Sequence, residues 1–397
     1  MRKEITLANL RKQIVYFIKG TDKVLLFLCM LTSAFGILMV ASATRRSLEN
    51  GGFFTRDVRT MFIAIFIGII IAFIVSLIDY EIILKVWPVV AGVAILLMII
   101  VFIFGEAPQG GTRSDARTWL NLKVFAFQPS ELVKIFFIIT FGVHLNKVRE
   151  KINSIKTISL ISLHAVIPVL LVSISGDDGS ALIFLLVAIC MIFVAGINWK
   201  YMLSTSLVLL AAIPILWVNI DDFQKERFLV IINPDLYPAT AYQQNMSLSA
   251  IGSGGFLGQG LFQGRFTQSG LVPESKNDMI FSVVGEELGL LGCLAALLLL
   301  GLVIFKIIRV GKKTGDFAAH YVCYGIASMI AMQTFINIAM CLRIGPVIGI
   351  TLPFFSAGGS SSLCLYIGIG MIFSIYRSTH DSDPVDFRLM NITSPFM

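Results

Sequence analysis

Residues 272–305 read VPESKNDMIFSVVGEELGLLGCLAALLLLGLVIF, and this stretch decides the fold class of the chain. From Leu288 onward it has no charged residue over a length that lets an α-helix cross the roughly 30 Å of hydrocarbon in a bilayer. The part before Leu288 carries Asp278, Glu286 and Glu287. Because a carboxylate in hydrocarbon costs several kcal/mol unless it faces a partner or water, the stretch predicts a membrane helix inside a protein bundle.

The rest of the chain has the same character. Of its 397 residues 56% are hydrophobic and 14% are charged, a composition that excludes a compact soluble domain. The sequence therefore predicts an all-α polytopic membrane protein with ten transmembrane helices in a single domain, 1–397. The ten apolar segments lie near residues 22–43, 58–78, 84–104, 130–146, 158–175, 180–197, 201–219, 280–308, 318–341 and 361–377.

The six cysteines fall singly in or beside these segments, without a CxxC pair or a histidine at metal-ligand spacing. Neither a disulfide nor a zinc site is indicated.

Basic residues predict the orientation in the membrane. Clusters of Lys and Arg precede the first span and follow the fourth and eighth, which predicts a cytoplasmic N-terminus and, with ten spans, a cytoplasmic C-terminus. The cytoplasmic ends are then residues 1–21 and 378–397. Four arginines near the first hairpin are predicted on the outer side, although basic residues are normally concentrated on the cytoplasmic side. Either the orientation is inverted or these arginines have a function there. They are Arg45, Arg46, Arg56 and Arg59.

A long loop, residues 220–278, separates spans 7 and 8 on the predicted outer side. It is too long for a simple connector and is rich in glycine and aromatic residues, so we expect a functional segment that folds back onto apolar surface. Six glycines within residues 252–264 could in principle cradle phosphate, but no GK[ST] follows. A tightly turned re-entrant loop is the simpler interpretation.

Polar residues at the predicted outer ends of the helices are candidate ligand contacts. In FQPSELVK, Pro129 opens a helix and places Glu131 and Lys134 on one face, either as a rim salt bridge or as a lysine that meets an anionic ligand. Upstream, Arg113 and Arg117 provide guanidinium groups suited to phosphate, and an interfacial tryptophan, Trp119, follows them.

Two further stretches have unusual composition. In GDDGS we expect Asp178 to be the N-cap of the next helix, which leaves Asp177 free for a site. The stretch RIGPVIGITLPFFSAGGSSS, residues 343–362, cannot form a continuous lipid-facing helix, so its backbone must be buried or line a cavity.

In the opening stretch, a helix from Asp278 onward would place Asp278 and Glu286 on nearly one face, with Glu286 about 12 Å deeper and Glu287 pointing away. Asp278 is then either a solvated cap or a functional carboxylate at the mouth of a cavity.

The chain resembles the SEDS family (shape, elongation, division and sporulation), which includes RodA, FtsW and SpoVE. The resemblance covers nearly the whole chain. The motifs that carry it, in family order and spacing, are ARTWL, FQPSELVK, GDDGSAL, YQQNMSLSAIGSGGFLGQGL, VPESKNDMIFSVVGEELGLLG and GPVIGITLPFFSAGGSSS.

The resemblance implies a peptidoglycan glycosyltransferase that polymerises lipid II at the outer face of the cytoplasmic membrane with a class B penicillin-binding protein. The essential aspartate of the family falls on Asp278, and Glu131, Lys134 and Trp119 match further family positions. Asp177 matches the aspartate of PDLGT, although Gly176 and Asp178 replace the usual proline and leucine. Two smaller departures are KNDM, where the family often has HTDF, and SAGGSS, where the family has SYGGSS.

In this interpretation Asp278 is the general base and Glu286 is a further substrate contact. Arg113, Arg117 and Lys134, with Arg45 or Arg46 as a further candidate, bind the diphosphate together with a divalent cation such as Mg or Mn, and residues 256–266 bind the polyprenyl tail. The short termini favour the RodA branch. The alternative is a lipid II flippase, which needs polar groups that continue to the inner face. An ion-coupled solute transporter would leave the long loops without a purpose, and nothing indicates a nucleic-acid partner.

Overall fold

The computed structural model describes residues 20–47, 52–107, 116–121, 126–204, 207, 211, 218 and 221–380. Arg113, nearly all of both predicted cytoplasmic ends and much of the seventh predicted span lie outside the described residues.

The described residues are mainly α-helical, as predicted. A two-stranded antiparallel sheet is formed by β1 (Leu120–Asn121) and β2 (Ala126–Phe127). The helices are α1 (Lys23–Thr44), α2 (Arg56–Leu77), α3 (Tyr80–Lys85), α4 (Trp87–Phe104), α5 (Pro129–Val148), α6 (Ile155–Ile174), α7 (Asp178–Val194), α8 (Asp222–Ile232), α9 (Pro238–Gly254), α10 (Arg265–Ser269), α11 (Ile280–Lys313), α12 (Phe317–Cys341) and α13 (Gly359–His380). Short 3₁₀ turns occur at Arg45–Ser47, Arg149–Lys151 and Pro234–Leu236.

Nine of the ten predicted spans coincide with helices among the described residues. Seven of these, α1, α2, α4, α6, α11, α12 and α13, are long and apolar enough to cross a membrane. α7 is apolar but shorter. α5 is 20 residues long and carries Glu131 and Lys134, two of the charged residues of the predicted site. The remaining predicted span, the seventh at 201–219, is described only in part.

α5, α12 and α13 form the interior of the bundle, while α4 and α6 lie at its periphery. α13 packs along α2, and α12 packs against α5, α7 and α11. Large apolar side chains on α4 and α6 are exposed, for example Phe104 at 70% and Leu163 at 57%. Such a surface is expected where helices face lipid.

The long loop is helical and packed against the bundle. α9 presents a face of small or polar residues to α11, with Gln244 and Ser247 fully buried. Gly254 lies so close to α11 that an added Cβ would come within 2.0 Å of the Gly285 carbonyl oxygen. Small residues permit this approach of two helices.

α11 is interrupted at Gly289, which adopts φ 63° and ψ −159°. Gly289 lies nine residues past Ile280, which corresponds to about 14 Å along the helix axis. The break frees backbone groups of residues 286–291, and the loop segment 255–260 bonds to them. Gln259 and Gly260 donate to the carbonyls of Glu286 and Glu287, while Leu290 and Leu291 donate to the carbonyls of Gly255 and Phe256.

The glycine-rich segment is therefore a backbone partner for a broken helix, in agreement with the re-entrant interpretation. An added Cβ on Gly258 would come within 2.1 Å of the Glu287 carbonyl oxygen. Irregular backbone at this depth needs a partner inside the protein.

Residues 342–358, between α12 and α13, are non-helical, as their composition predicts, and residues 350 and 352–356 among them are buried. We call residues 343–358 the inner loop. Asn337 of α12 donates to the carbonyl of Ile350 at 2.7 Å, and the Ser356 hydroxyl donates to the carbonyl of Asn277 at 2.8 Å. These bonds attach the inner loop to α12 and to the turn before α11.

Candidate active site

Three of the predicted motifs meet at the inner loop. Asp278 lies beside Gly349, where an added Cβ would be 3.6 Å from a carboxylate oxygen of Asp278. Glu131 lines a small cavity together with inner-loop residues from Thr351 to Ser356. The turn that holds Asp177 contacts it through Gly179, where an added Cβ would come within 2.2 Å of the Ile348 carbonyl oxygen.

Asp278 lies in the turn just before α11, because the helix begins at Ile280. The prediction of a helix from Asp278 onward is therefore wrong by two residues, and Asp278 does not share a helical face with Glu286. The N-cap residue of α11 is Met279, without a side-chain capping bond, and within the described part of the chain no donor bonds the Asp278 carboxylate. The alternative that Asp278 is a cap is therefore wrong.

The surroundings of Asp278 favour a carboxylate that can take up a proton near neutral pH. Burial and, to a smaller extent, the Glu274 carboxylate raise the pKa of Asp278 to about 7, against the opposing effect of the Arg227 guanidinium. Its backbone is held in place, since Asn337 donates to the Asp278 carbonyl at 2.8 Å. A carboxylate with this pKa can act as a general base at physiological pH.

Glu131 and Lys134 form a buried ion pair. The Lys134 ammonium lies 2.8 Å from a Glu131 carboxylate oxygen, and Lys134 is only 2% exposed. The cavity beside Glu131 measures about 10 Å³, which is room for a single water at most. The pair is thus buried and not on the rim, and a contact between Lys134 and a ligand stays a prediction.

Asp177, and not Asp178, is the N-cap of α7, so that part of the prediction is wrong. An Asp177 carboxylate oxygen accepts from the Ser180 amide at 3.1 Å, and the other accepts from Gln128 at 2.8 Å and Ser130 at 2.6 Å. Asp178 instead accepts from Gln224 of α8. Asp177 therefore joins the start of α5 to the start of α7, and its substrate contact stays a prediction.

Arg117 and Trp119 lie on the segment that follows α4. The exposed Arg117 side chain donates to the Phe102 carbonyl at 3.0 Å, which satisfies the C-terminus of α4. Its amide donates to the carbonyl of Ser175, two residues before Asp177. Trp119 pairs with Glu106 through backbone hydrogen bonds and is partly exposed. The structure thus places both residues near the Asp177 turn.

Glu286 is separate from this group of residues. It is fully buried and accepts from the amides of Phe266 and Thr267 at 2.6 and 2.9 Å and from the Thr267 hydroxyl. Glu287 does not point away: it is also fully buried and accepts from Phe262, Ser42 and Gln268. Both carboxylates hold the loop segment around α10 against α11, and substrate contact by Glu286 stays a prediction.

The arginines at the end of α1 hold the same segment. Arg45 lies 5.1 Å from the centre of the Phe262 ring, and Arg46 donates to the carbonyl of Ser269. Arg56 and Arg59 lie in the first turn of α2. Asp57 of the same helix forms an ion pair with Lys276, with 3.0 Å between a carboxylate oxygen and the ammonium nitrogen. This gives Arg45 and Arg46 a structural function at that end of the bundle.

The sequence interpretation missed several polar residues that the structure brings together. Asn337 ties Asp278 to the inner loop, and His144 and His164 contact each other at 2.9 Å between their Nδ1 atoms. All three are polar residues within apolar spans. Because such residues are rare in a membrane helix unless they have a partner, their position in the sequence could have indicated them. No group of three or more His, Cys, Asp or Glu side chains among the described residues is arranged to hold a metal ion.

The bundle and this group of residues define a polytopic membrane protein with a carboxylate of raised pKa at one end of its helices. The family model described as FtsW/RodA/SpoVE cell cycle protein matches residues 22–381. The chain belongs to this family.

Relatives with curated names support the assignment. The chain is 31% identical to a probable peptidoglycan glycosyltransferase FtsW of Geobacter sulfurreducens over 369 residues, 90% of this chain and 95% of the relative. It is 33% identical to the peptidoglycan glycosyltransferase MrdB of Escherichia coli K12 over 287 residues, 72% and 76% of the two chains.

Solved structures share the fold. A chain of a peptidoglycan synthase complex, whose structure concerns the coordination of polymerization and crosslinking, has a TM-score of 0.78 and 25% identity over 91% of this chain and 99% of its own. Thermus thermophilus RodA has a TM-score of 0.67 and 23% identity over 91% and 98%.

Proposed function

We propose that this protein is a peptidoglycan glycosyltransferase that polymerises lipid II into glycan strands at the outer face of the bacterial cytoplasmic membrane. The observation that carries the proposal is the Asp278 carboxylate, which is free of hydrogen bonds within the described residues and has a pKa raised to about 7. The names of the relatives support the same activity.

In the proposed reaction the 4-hydroxyl of an incoming lipid II attacks the sugar C1 of the growing strand. Asp278 accepts the hydroxyl proton as the new C–O bond forms. The bond between C1 and the diphosphate oxygen breaks, and undecaprenyl diphosphate leaves with the electron pair. A single displacement of this kind inverts the configuration at C1.

Cationic side chains would stabilise the leaving diphosphate. Arg117 is exposed beside the Asp177 turn, and Lys134 pairs with Glu131, which lines a cavity with inner-loop residues. Arg113 remains a predicted contact. The expected divalent cation has no cluster of protein ligands among the described residues, so we assign no step to it.

The rival function, lipid II flipping, needs a polar path through the bundle. α5 carries Lys134 near one end and His144 near the other, but buried aromatic rings lie between them. Phe137 stacks on Phe141 with ring centres 5.0 Å apart and lies 5.4 Å from Phe184. The described interior therefore favours polymerisation over flipping.

We also propose that both termini are cytoplasmic and that the partner is a class B penicillin-binding protein. The distribution of Lys and Arg supports the orientation. The similarity to a chain from a complex that couples polymerization to crosslinking supports the partner.

Two assays of the purified protein in proteoliposomes test the function. Labelled lipid II should give glycan chains on a gel, and the yield should rise with the partner present. Transfer of labelled lipid II between the two leaflets without any chains would favour the flippase and contradict the proposal.

A further inference from the structure

An apolar cavity of about 270 Å³ lies between α4, α5 and α6. All but two of its lining residues are apolar, and Ala91 and Ala94 of α4 leave the space that larger side chains would fill. Pro168 of α6 also lines it. The volume is slightly below the roughly 300 Å³ at which cavities for drug-sized ligands begin, so it suits part of a hydrocarbon chain.

The two polar lining residues already have partners. The Thr140 hydroxyl lies 3.3 Å from Nε2 of His164, whose Nδ1 contacts His144. Neither group therefore calls for a polar ligand, and the cavity selects a hydrocarbon chain. Leu163 and Ile167 line it and are 57% and 44% exposed, so the cavity opens towards the bilayer.

The position of the cavity relates it to the candidate active site. Val133 of α5 lines the cavity and directly precedes Lys134. It lies two residues past Glu131, which is about 3 Å along the helix axis. On α4, Met98 lines the cavity one turn, about 6 Å, before Phe102, whose carbonyl binds Arg117. A chain in the cavity would thus join a headgroup held near Arg117 and the inner loop.

We propose that this cavity binds the polyisoprenoid chain of a lipid-linked sugar diphosphate. The inference rests on the proposed function, and it differs from the expectation that residues 256–266 bind the tail. In that loop segment Gly255, Phe256, Gly258 and Gly260 contact α11 through their backbone, so part of it serves to complete α11. The cationic Arg117 at the level above the cavity distinguishes the anionic lipid-linked substrate from a neutral lipid.

Filling the cavity tests the proposal. Ala94→Leu should raise the KM for undecaprenyl-linked lipid II about tenfold, because about two methylene groups of the chain lose their buried site. Ala91→Leu, on the same wall of the cavity, should have the same effect. The kcat of both variants should stay within about twofold of the wild-type value. The KM for a geranylgeranyl-linked analogue should change much less, because its short chain needs less of the cavity. Val93→Leu is the matched control: Val93 lies on the same helix, is 40% exposed and does not line the cavity.

A second measurement does not depend on activity. A polyprenyl diphosphate with a diazirine at mid-chain should label peptides of α4 and α6 in the wild-type protein but not in Ala94→Leu, and unlabelled undecaprenyl diphosphate should compete.

Two results would overturn the inference: equal KM changes for both chain lengths, or equal competition by phosphatidylglycerol, which would mean that any membrane lipid fills the cavity. Absence of glycan chains from wild-type protein with either substrate would instead reject the proposed function, and the labelling result would still decide whether the cavity binds the chain.

Discussion

Three carboxylates within ten residues have different roles because their hydrogen-bond donors differ. Glu286 and Glu287 are fully buried, and each accepts from backbone amides and from a hydroxyl group. These donors occupy the carboxylate oxygens and leave little capacity for a ligand. Asp278 has no donor on its carboxylate within the described residues, and its pKa is raised to about 7. The sequence alone could not separate these roles, because they depend on hydrogen-bond donors from residues 262–268 of the long loop, which folds back against α11.

The raised pKa of Asp278 predicts an effect on stability. An unfolded Asp ionises near pH 3.8, while the folded carboxyl stays protonated up to about pH 7. Unfolding therefore releases a proton between these values, and Asp278 makes the fold progressively less stable as the pH rises from about 4 to 7.

We accordingly expect Asp278→Asn to have a higher Tm than the wild-type protein at pH 8, with a smaller difference at pH 5. Scanning fluorimetry of both proteins in the same detergent measures this. Lys276→Gln, which removes a neighbouring charge and keeps Asp278, is the control. A Tm of the Asn variant below that of the wild-type protein at pH 8 would contradict the assignment of an ionised, partly buried Asp278.

At the scale of elements, the fold was largely predictable because apolar length is a strong signal. The start of α5 at Pro129, the non-helical inner loop and nine helices agree with the sequence interpretation. The break at Gly289 was not predicted, because the run LGLLGCLAALLLL is apolar on both sides of it. Its cause is a distant partner: the segment 255–260 supplies the hydrogen bonds that α11 loses.

This explanation predicts different effects of two glycine substitutions in one helix. Gly289→Ala should destabilise the protein by several kcal/mol, because Gly289 has φ 63° and an added Cβ would lie 2.4 Å from the Gly258 amide nitrogen. Gly301→Ala, in the same helix with no atom near an added Cβ, should leave stability equal or raise it by up to about 1 kcal/mol. Thermal stability and expression in membranes measure both variants, and equal tolerance of the two would mean that the loop does not support the break.

At the scale of the whole molecule, the motifs were predictable but their assembly was not. The sequence indicated Glu131, Asp177 and Asp278 as separate candidates, and the structure brings their segments together at the inner loop. No pattern in one stretch encodes that meeting point, because it depends on how α5, α7 and α11 pack around residues 343–358. For the same reason the burial of Lys134 was not foreseen.

The proposed orientation is also a property of the whole molecule. In a variant without the six native cysteines, five of which are buried, single cysteines at Glu150 and Ala239 report opposite sides of the membrane. We expect an impermeant maleimide to label position 239 but not position 150 in intact cells, and to label both after permeabilisation. Labelling of position 150 alone in intact cells would invert the orientation.

In the proposed reaction Asp278 takes the proton from the acceptor hydroxyl, and the sharpest test of this role is glycan synthesis by purified Asp278→Asn from labelled lipid II. Asparagine keeps the size of the side chain but cannot accept the proton. We expect a variant that folds, binds lipid II and is no less stable than the wild-type protein at pH 8. It should make chains at least about a hundredfold more slowly, the lower range of what general base catalysis contributes. Glycan chains at near wild-type rate from this variant would contradict the claim.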